Sequence, residues 1–263
     1  MSIAQNHPPV DLQRLADGVA LVTLCRPAAR NAITPQVAHL LEEIVAEVER
    51  SDDISVAILT GEGDRAFCAG ADLNEVAAGR LDDCFTPAGG FAGFVNAKRS
   101  KPWIAAVNGP ALAGGFEIVL ACDLAIAADT AIFGLPEVKR GLIASAGGLY
   151  RLPRVLPRVL AMEMIATGRA IGADRALAMG VINRVTSPQD LLEAAKSLAS
   201  EICANAPLAV RESVRIARAA SGFDDDELRG AAEAAQAILQ TTSDYSEGAT
   251  AFLEKRKPNW TGR

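Results

Sequence analysis

Two glutamates in glycine-rich surroundings are the residues of this chain best suited to chemistry. Glu117 lies in Ala113-Gly114-Gly115-Phe116-Glu117, and Glu137 lies in Phe133-Gly134-Leu135-Pro136-Glu137. Both have apolar neighbours, where an unpaired carboxylate is costly. Two carboxyls brought together in such a place push their pKa values apart, so one can give a proton while the other takes one. The glycines mark backbone brought close to a ligand or to another strand, which favours a meeting of the two acids. Singly, each has a plain structural alternative. Glu117 could be a helix residue favoured by the dipole near an N-terminus, and Glu137 a turn carboxylate paired with Lys139 or Arg140.

Two further stretches share one design: a strand, a turn of small residues, then a helix. They are Ile58-Leu59-Thr60 leading to Ala69-Gly70-Ala71-Asp72, and Ala105-Ala106-Val107 leading to Ala113-Gly114-Gly115. Small residues at such turns leave peptide N–H groups accessible, and a helix N-terminus adds partial positive charge. Two such groups converging on one carbonyl oxygen form an oxyanion hole. Tight strand–helix packing is the other reading. A phosphate loop is excluded, because neither GxxxxGK[ST] nor GxGxxG at the first strand is present. Histidine is nearly absent: His7 sits in a polar N-terminal extension, and His39 falls off the apolar stripe Val37, Leu40, Leu41, Ile44 and Val48, facing solvent. A Ser-His-Asp triad or a His-rich metal site has nothing to be built from.

The elements that must position these residues alternate through the first 150 or so positions. A strand is expected over Gly18–Leu24. Thr34-Pro35 opens a helix to about Arg50, an N-cap followed by proline at the first helical position. Strands follow at Ser55–Thr60 and Trp103–Val107, then a helix at Gly114–Ala121 and a strand at Asp123–Ala127. Thr86–Asn96, rich in Gly and Phe, reads as a mobile insertion or lid. From Pro157 onward helical periods dominate, over Val159–Thr167, Ala173–Met179, Asp190–Asn205, Leu208–Ala220 and Asp225–Thr242. The expected organisation is α/β over 1–156 and all-helical over 157–263.

Composition narrows the partners. Half of the 263 residues are hydrophobic, 22% are charged and the net charge is −6, which gives no general reason to bind nucleic acid or an anionic membrane. Cys25, Cys68, Cys84, Cys122 and Cys203 form an odd set without a CxxC pair, so structural zinc and a disulfide framework are disfavoured and reduced thiols expected. The N-terminus lacks a basic segment and an apolar core, and no apolar run reaches membrane-spanning length, so the expectation is a cytoplasmic, soluble protein.

The motifs in their order resemble the crotonase (enoyl-CoA hydratase/isomerase) superfamily from about Leu12 to Arg263. They are Arg26-Pro27 with Asn31-Ala32, then Ala66-Phe67-Cys68-Ala69-Gly70-Ala71-Asp72-Leu73, then Lys101-Pro102-Trp103-Ile104-Ala105-Ala106-Val107-Asn108-Gly109. Gly114-Gly115-Phe116-Glu117, Phe133-Gly134-Leu135-Pro136-Glu137 and Gly147-Gly148 before Arg151-Leu152 complete the set. The resemblance implies a ββα spiral core and a helical C-terminal trimerisation region, assembled as a trimer or a dimer of trimers. It puts the oxyanion donors on the N–H groups of Ala71 and Gly114 and the two hydratase acids on Glu117 and Glu137. The substrate it implies is an acyl-CoA thioester, with no metal or redox cofactor. The adenine end would lie near Ala66, Phe67, Cys68 and Ala69, and Phe252 and Lys255 of a neighbouring subunit would close over it. Isomerisation, thioester hydrolysis and acyl-CoA binding without turnover remain alternatives on the same fold. The loop Leu142-Ile143-Ala144-Ser145-Ala146 departs from the family's proline-containing form, so Ser145 bears on acyl specificity. Ala113 replaces the first glycine of a frequent triple. Phe85–Phe94 is expected to wall the acyl site, as an aromatic face for a cation or as a lining for an alkyl chain.

Overall fold

The computed structural model describes residues 8–263; His7 and the N-terminal reading made on the first seven residues fall outside them. The chain opens with β1 (Val10–Arg14), β2 (Val19–Leu24), α1 (Pro35–Arg50) and β3 (Val56–Gly61). It continues with α2 (Leu73–Ala77), β4 (Phe85–Thr86), β5 (Gly90–Phe91), β6 (Trp103–Val107), β7 (Ala111–Leu112) and α3 (Gly114–Ala121). Next come β8 (Leu124–Ala128), β9 (Ile132–Gly134), α4 (Gly148–Val155), α5 (Arg158–Thr167), β10 (Ala170–Gly172) and α6 (Ala173–Ala178). The last elements are β11 (Arg184–Thr186), α7 (Leu191–Cys203), α8 (Pro207–Ala219), α9 (Asp225–Leu239) and α10 (Ser243–Glu254).

The main sheet runs in the order β1-β2-β3-β6-β8-β11. Only the β1–β2 pair is antiparallel; β2 through β11 pair parallel. Strands of a parallel sheet need cover on both faces and therefore read as continuous apolar runs. That is the case here: β3 and β6 are buried at every position. Ala57, Leu59, Trp103, Ala105 and Val107 face the larger core, where α1 buries Val37, Leu41, Ile44 and Val48. The alternate residues Val56, Ile58, Ile104 and Ala106 face the second core, closed by Leu191, Ala195 and Ala199 of α7. A smaller sheet, β10-β9-β7, stands beside it.

Local signals produced α1 as expected. Thr34 Oγ1 accepts the Val37 N–H at 3.3 Å and Pro35 occupies the first turn. Two expectations need correction. The stretch from Pro157 is not purely helical: β10 pairs with β9, and β11 extends the main sheet beside β8. Each is three residues long, too short to carry a periodic signal, and each exists because a partner strand satisfies its backbone. Thr86–Asn96, expected as a mobile insertion or lid, is instead packed into the core. Phe91, Ala92, Phe94 and Val95 are buried in the main core, and Glu42 of α1 accepts both the Thr86 hydroxyl and the Gly89 N–H. His39 is exposed, as its position off the stripe implied. Among the described residues no helix is long and apolar enough to cross a membrane.

Candidate active site

The two small-residue turns meet. Leu112 N–H donates to Cys68 O at 3.1 Å, and Phe67 N–H to Pro110 O at 3.0 Å, so segment 66–71 docks along 110–114 like an added strand. Glycines permit the contact: a Cβ on Gly115 would lie 2.0 Å from Cys68 O, and one on Gly70 would lie 3.0 Å from the Gly114 nitrogen. The segment is anchored from the other side by Asn31, 1% exposed, whose amide donates to Ala66 O at 2.8 Å. Ile33 then takes both neighbours of Ala71: its N–H donates to Gly70 O and its carbonyl accepts the Asp72 N–H, each at 2.8 Å. In a parallel bridge this pairing turns the Ala71 N–H the opposite way. That N–H and the N–H of Gly114, at the first position of α3, have no hydrogen-bond partner among the described residues. Both residues line one cavity of about 510 Å³.

Ala113, just before α3, has φ 51° and ψ −129°. This is the conformation of the first central residue of a type II′ turn, which glycine adopts freely and alanine adopts only under strain. The Ala113 N–H is tied to Gly134 O at 2.9 Å, which links this turn to β9 and so to the segment bearing Glu137.

Both glutamates line the same cavity. Glu117, on α3 and 3% exposed, accepts the Gly148 N–H at 2.8 Å. Burial pushes its carboxyl up to about 7; the Gly148 N–H opposes the shift, the charge of Glu137 adds to it, and the Ala146 backbone and Arg151 oppose it more weakly. Glu137 sits in the 3₁₀ turn Pro136–Arg140 and is 9% exposed. Neither of its carboxyl oxygens has a partner among the described residues. Burial raises its pKa as well, against the pull of its own backbone N–H and of Arg140. A buried carboxyl with no partner on either oxygen is shifted toward its protonated form. The ion pair considered for Glu137 in sequence is not formed: neither Lys139 nor Arg140 bridges to it.

The remaining expected site residues divide. Ala69 and Ser145 line the cavity. Ala66, Phe67 and Cys68 are buried in the core and do not. Phe252, 84% exposed, and Lys255 lie at the end of α10, apart from the cavity of their own chain. Phe85 and Phe91 form part of the wall, edge to face at 5.4 Å, while Phe94 turns away against Trp103. Arg140, Leu73, Leu142 and Ile143, named in sequence for other reasons, also line the cavity, and so do Arg30, Val76 and Leu81, which were not singled out; isolated arginines and apolar residues carry no signal until the fold gathers them. Among the described residues no group of three metal-ligating side chains comes together.

Two N–H groups without a partner among the described residues and two buried acids in one cavity are an arrangement suited to polarising a carbonyl and moving protons beside it. The enoyl-CoA hydratase/isomerase family model matches residues 14–263, and the chain belongs to that family. Carnitinyl-CoA dehydratase of Proteus mirabilis is 41% identical over 247 residues, 92% of this chain and 94% of that protein. The crystal structure of an enoyl-CoA hydratase from Mycobacterium tuberculosis H37Rv superposes with TM-score 0.93 at 41% identity, covering 98% of this chain and all of that one. A carnitinyl-CoA hydratase from Mycobacterium avium is 42% identical, with TM-score 0.78 over 98% of this chain and 100% of that one.

Proposed function

We propose that the chain catalyses reversible syn addition of water to a 2-enoyl-CoA, giving a 3-hydroxyacyl-CoA, and that carnitinyl-CoA and its dehydration product crotonobetainyl-CoA are its substrate pair. The observation that carries the reaction is the pairing of two buried acids of different surroundings in one cavity. Glu117, hydrogen-bonded and with a pKa of about 7, can be ionised near neutrality. Glu137, with no partner on either carboxyl oxygen among the described residues, is also shifted by burial toward its protonated form and serves as the proton source.

In hydration the thioester oxygen sits between the N–H groups of Ala71 and Gly114, which stabilise the negative charge as the double bond polarises. Glu117 takes a proton from water, whose oxygen bonds to the β-carbon. Glu137 delivers its proton to the α-carbon. Dehydration reverses both transfers, and no cofactor beyond the CoA of the substrate takes part. The relatives' names and the faces of Phe85 and Phe91, which suit a trimethylammonium group, support the acyl assignment. Gly148-Leu149-Tyr150-Arg151-Leu152-Pro153 and the ending Ala251-Phe252-Leu253-Glu254-Lys255-Arg256 resemble the carnitinyl enzymes.

We also propose a trimer or dimer of trimers, in which other copies cover the apolar side chains left open beyond Pro157: Val159 at 72% exposure, Ile238 at 66% and Phe252 at 84%. Light scattering that finds a stable monomer at micromolar concentration rejects this assembly.

The function is tested by kcat/KM for crotonobetainyl-CoA beside crotonyl-CoA. At least equal use of the cationic ester is expected. A tenfold preference for the neutral ester, about 1.4 kcal/mol, removes the carnitinyl substrate and leaves the hydratase. Release of free thiol or formation of a 3-enoyl product in place of the 3-hydroxyacyl-CoA replaces hydration with hydrolysis or isomerisation.

A further inference from the structure

We propose that Arg151 is a positioning residue that sets the place and the ionisation of Glu117, an inference that rests on the proposed hydration. The guanidinium ties together the two segments that close around this acid. One nitrogen donates to Ala146 O at 3.0 Å, and the other donates to Val95 O at 2.5 Å. Val95 belongs to the buried aromatic segment, and Ala146 precedes the Gly147-Gly148 turn whose second N–H holds the Glu117 carboxylate at 2.8 Å.

The turn is shaped around this guanidinium. Gly147 has φ +123°, and a Cβ there would fall 1.8 Å from the Arg151 Nη1. Gly148 has no room either, since its Cβ would meet Leu135 Cδ1 at 2.8 Å and Ala144 Cβ at 2.9 Å. The donor to Glu117 is therefore clamped between the apolar wall and an arginine that is itself fixed at two carbonyls. A planar fork can hold two carbonyls at once; an ammonium on a flexible stem cannot do so with the same geometry.

The second effect is electrostatic. From α4 Arg151 favours the ionised Glu117, and from the Pro136–Arg140 turn Glu137 disfavours it. Arg140 acts on Glu137 in turn. Removing the guanidinium leaves the influence of Glu137 unopposed by charge, so Glu117 keeps its proton to higher pH. A base that must be ionised to activate water is then available over a narrower range.

The experiment compares Arg151→Met and Arg151→Lys with the parent in the pH profile of kcat, with KM measured alongside. For Arg151→Met, kcat is expected to fall roughly tenfold or more with KM changed by less than about threefold, as for a group acting in the transition state. The acid limb is expected to move to higher pH. Arg151→Lys is expected to keep the limb near its original position, because the charge remains, while recovering only part of kcat. A readout independent of turnover follows Glu117 directly: the pH at which the heat-stability gain of Glu117→Gln over its background levels off, which marks the folded-state titration of Glu117, measured with and without Arg151→Met. An upward move of that pH supports the inference even if hydration is the wrong reaction. An unmoved pH together with kcat within twofold of the parent overturns it, while activity of the parent on enoyl-CoA keeps the proposed function standing. If Arg151→Met does not fold, an acid limb displaced in Arg151→Lys as well refutes the electrostatic part.

Discussion

Replacing Glu117 by Gln should weaken the enzyme and strengthen the fold, and the two effects can be read separately. The carboxyl is held at about 7 against an ordinary value of 4.5, chiefly by burial. Below 4.5 it is protonated in folded and unfolded chains alike, and burial costs nothing extra. As pH rises from 4.5 to about 7, the unfolded chain ionises freely while the folded chain resists, so the native state loses stability across that window and the loss is complete above it. At about 1.36 kcal/mol per pH step, the ceiling is about 3 kcal/mol. A glutamine keeps the shape, can accept the same Gly148 N–H, and never ionises. Relative to the parent, Glu117→Gln should therefore gain little at pH 4.5 and up to about 3 kcal/mol at pH 8, on the order of 6 °C or more in Tm. Hydration should fall by about 10²–10⁴-fold over the same range, as expected on removal of a general base. Thermal or urea denaturation at both pH values, with kcat measured in parallel, is the assay. A stability difference that does not change between pH 4.5 and 8 refutes the reasoning about burial, and near-parental turnover removes Glu117 from the mechanism.

Glu137→Gln should lower kcat by a comparable factor with little change in CoA-ester affinity; turnover close to the parent would exclude it as the proton source. Because both acids serve one reacting unit, the double variant should lose far less than the product of the two single losses, and a multiplicative loss would mean that they act independently. Ala113→Gly should raise Tm, because relief of a strained φ of 51°, worth about 1–3 kcal/mol, outweighs the added chain entropy of glycine, about 0.5–1 kcal/mol. A lower Tm for this variant would show that the turn carries no strain.

Much of the frame was legible in the chain itself. The N-cap and proline of α1, the apolar runs of β3 and β6 and the span of α3 are local properties, each set within a few residues and preserved on folding. The glycine-flanked glutamates were legible too, because carboxylates in apolar runs conflict with burial unless they have a task. What pattern reading missed depends on distant partners. β9, β10 and β11 span three residues each and become strands only through pairing. The Phe85–Phe94 segment has loop composition, yet Glu42 and the floor beneath it make it a wall. Tertiary structure alone decided that Gly70 and Gly115 press the two turns together, that Phe67 and Cys68 face the core and not the cavity, and that Ala113 bears a conformation suited to glycine. It also placed Arg151 against two carbonyls that lie 5 and 56 residues away. Propensity and periodicity act over a turn or two of chain, whereas a carboxyl's pKa and the direction of a free N–H are set by whatever the fold packs against them.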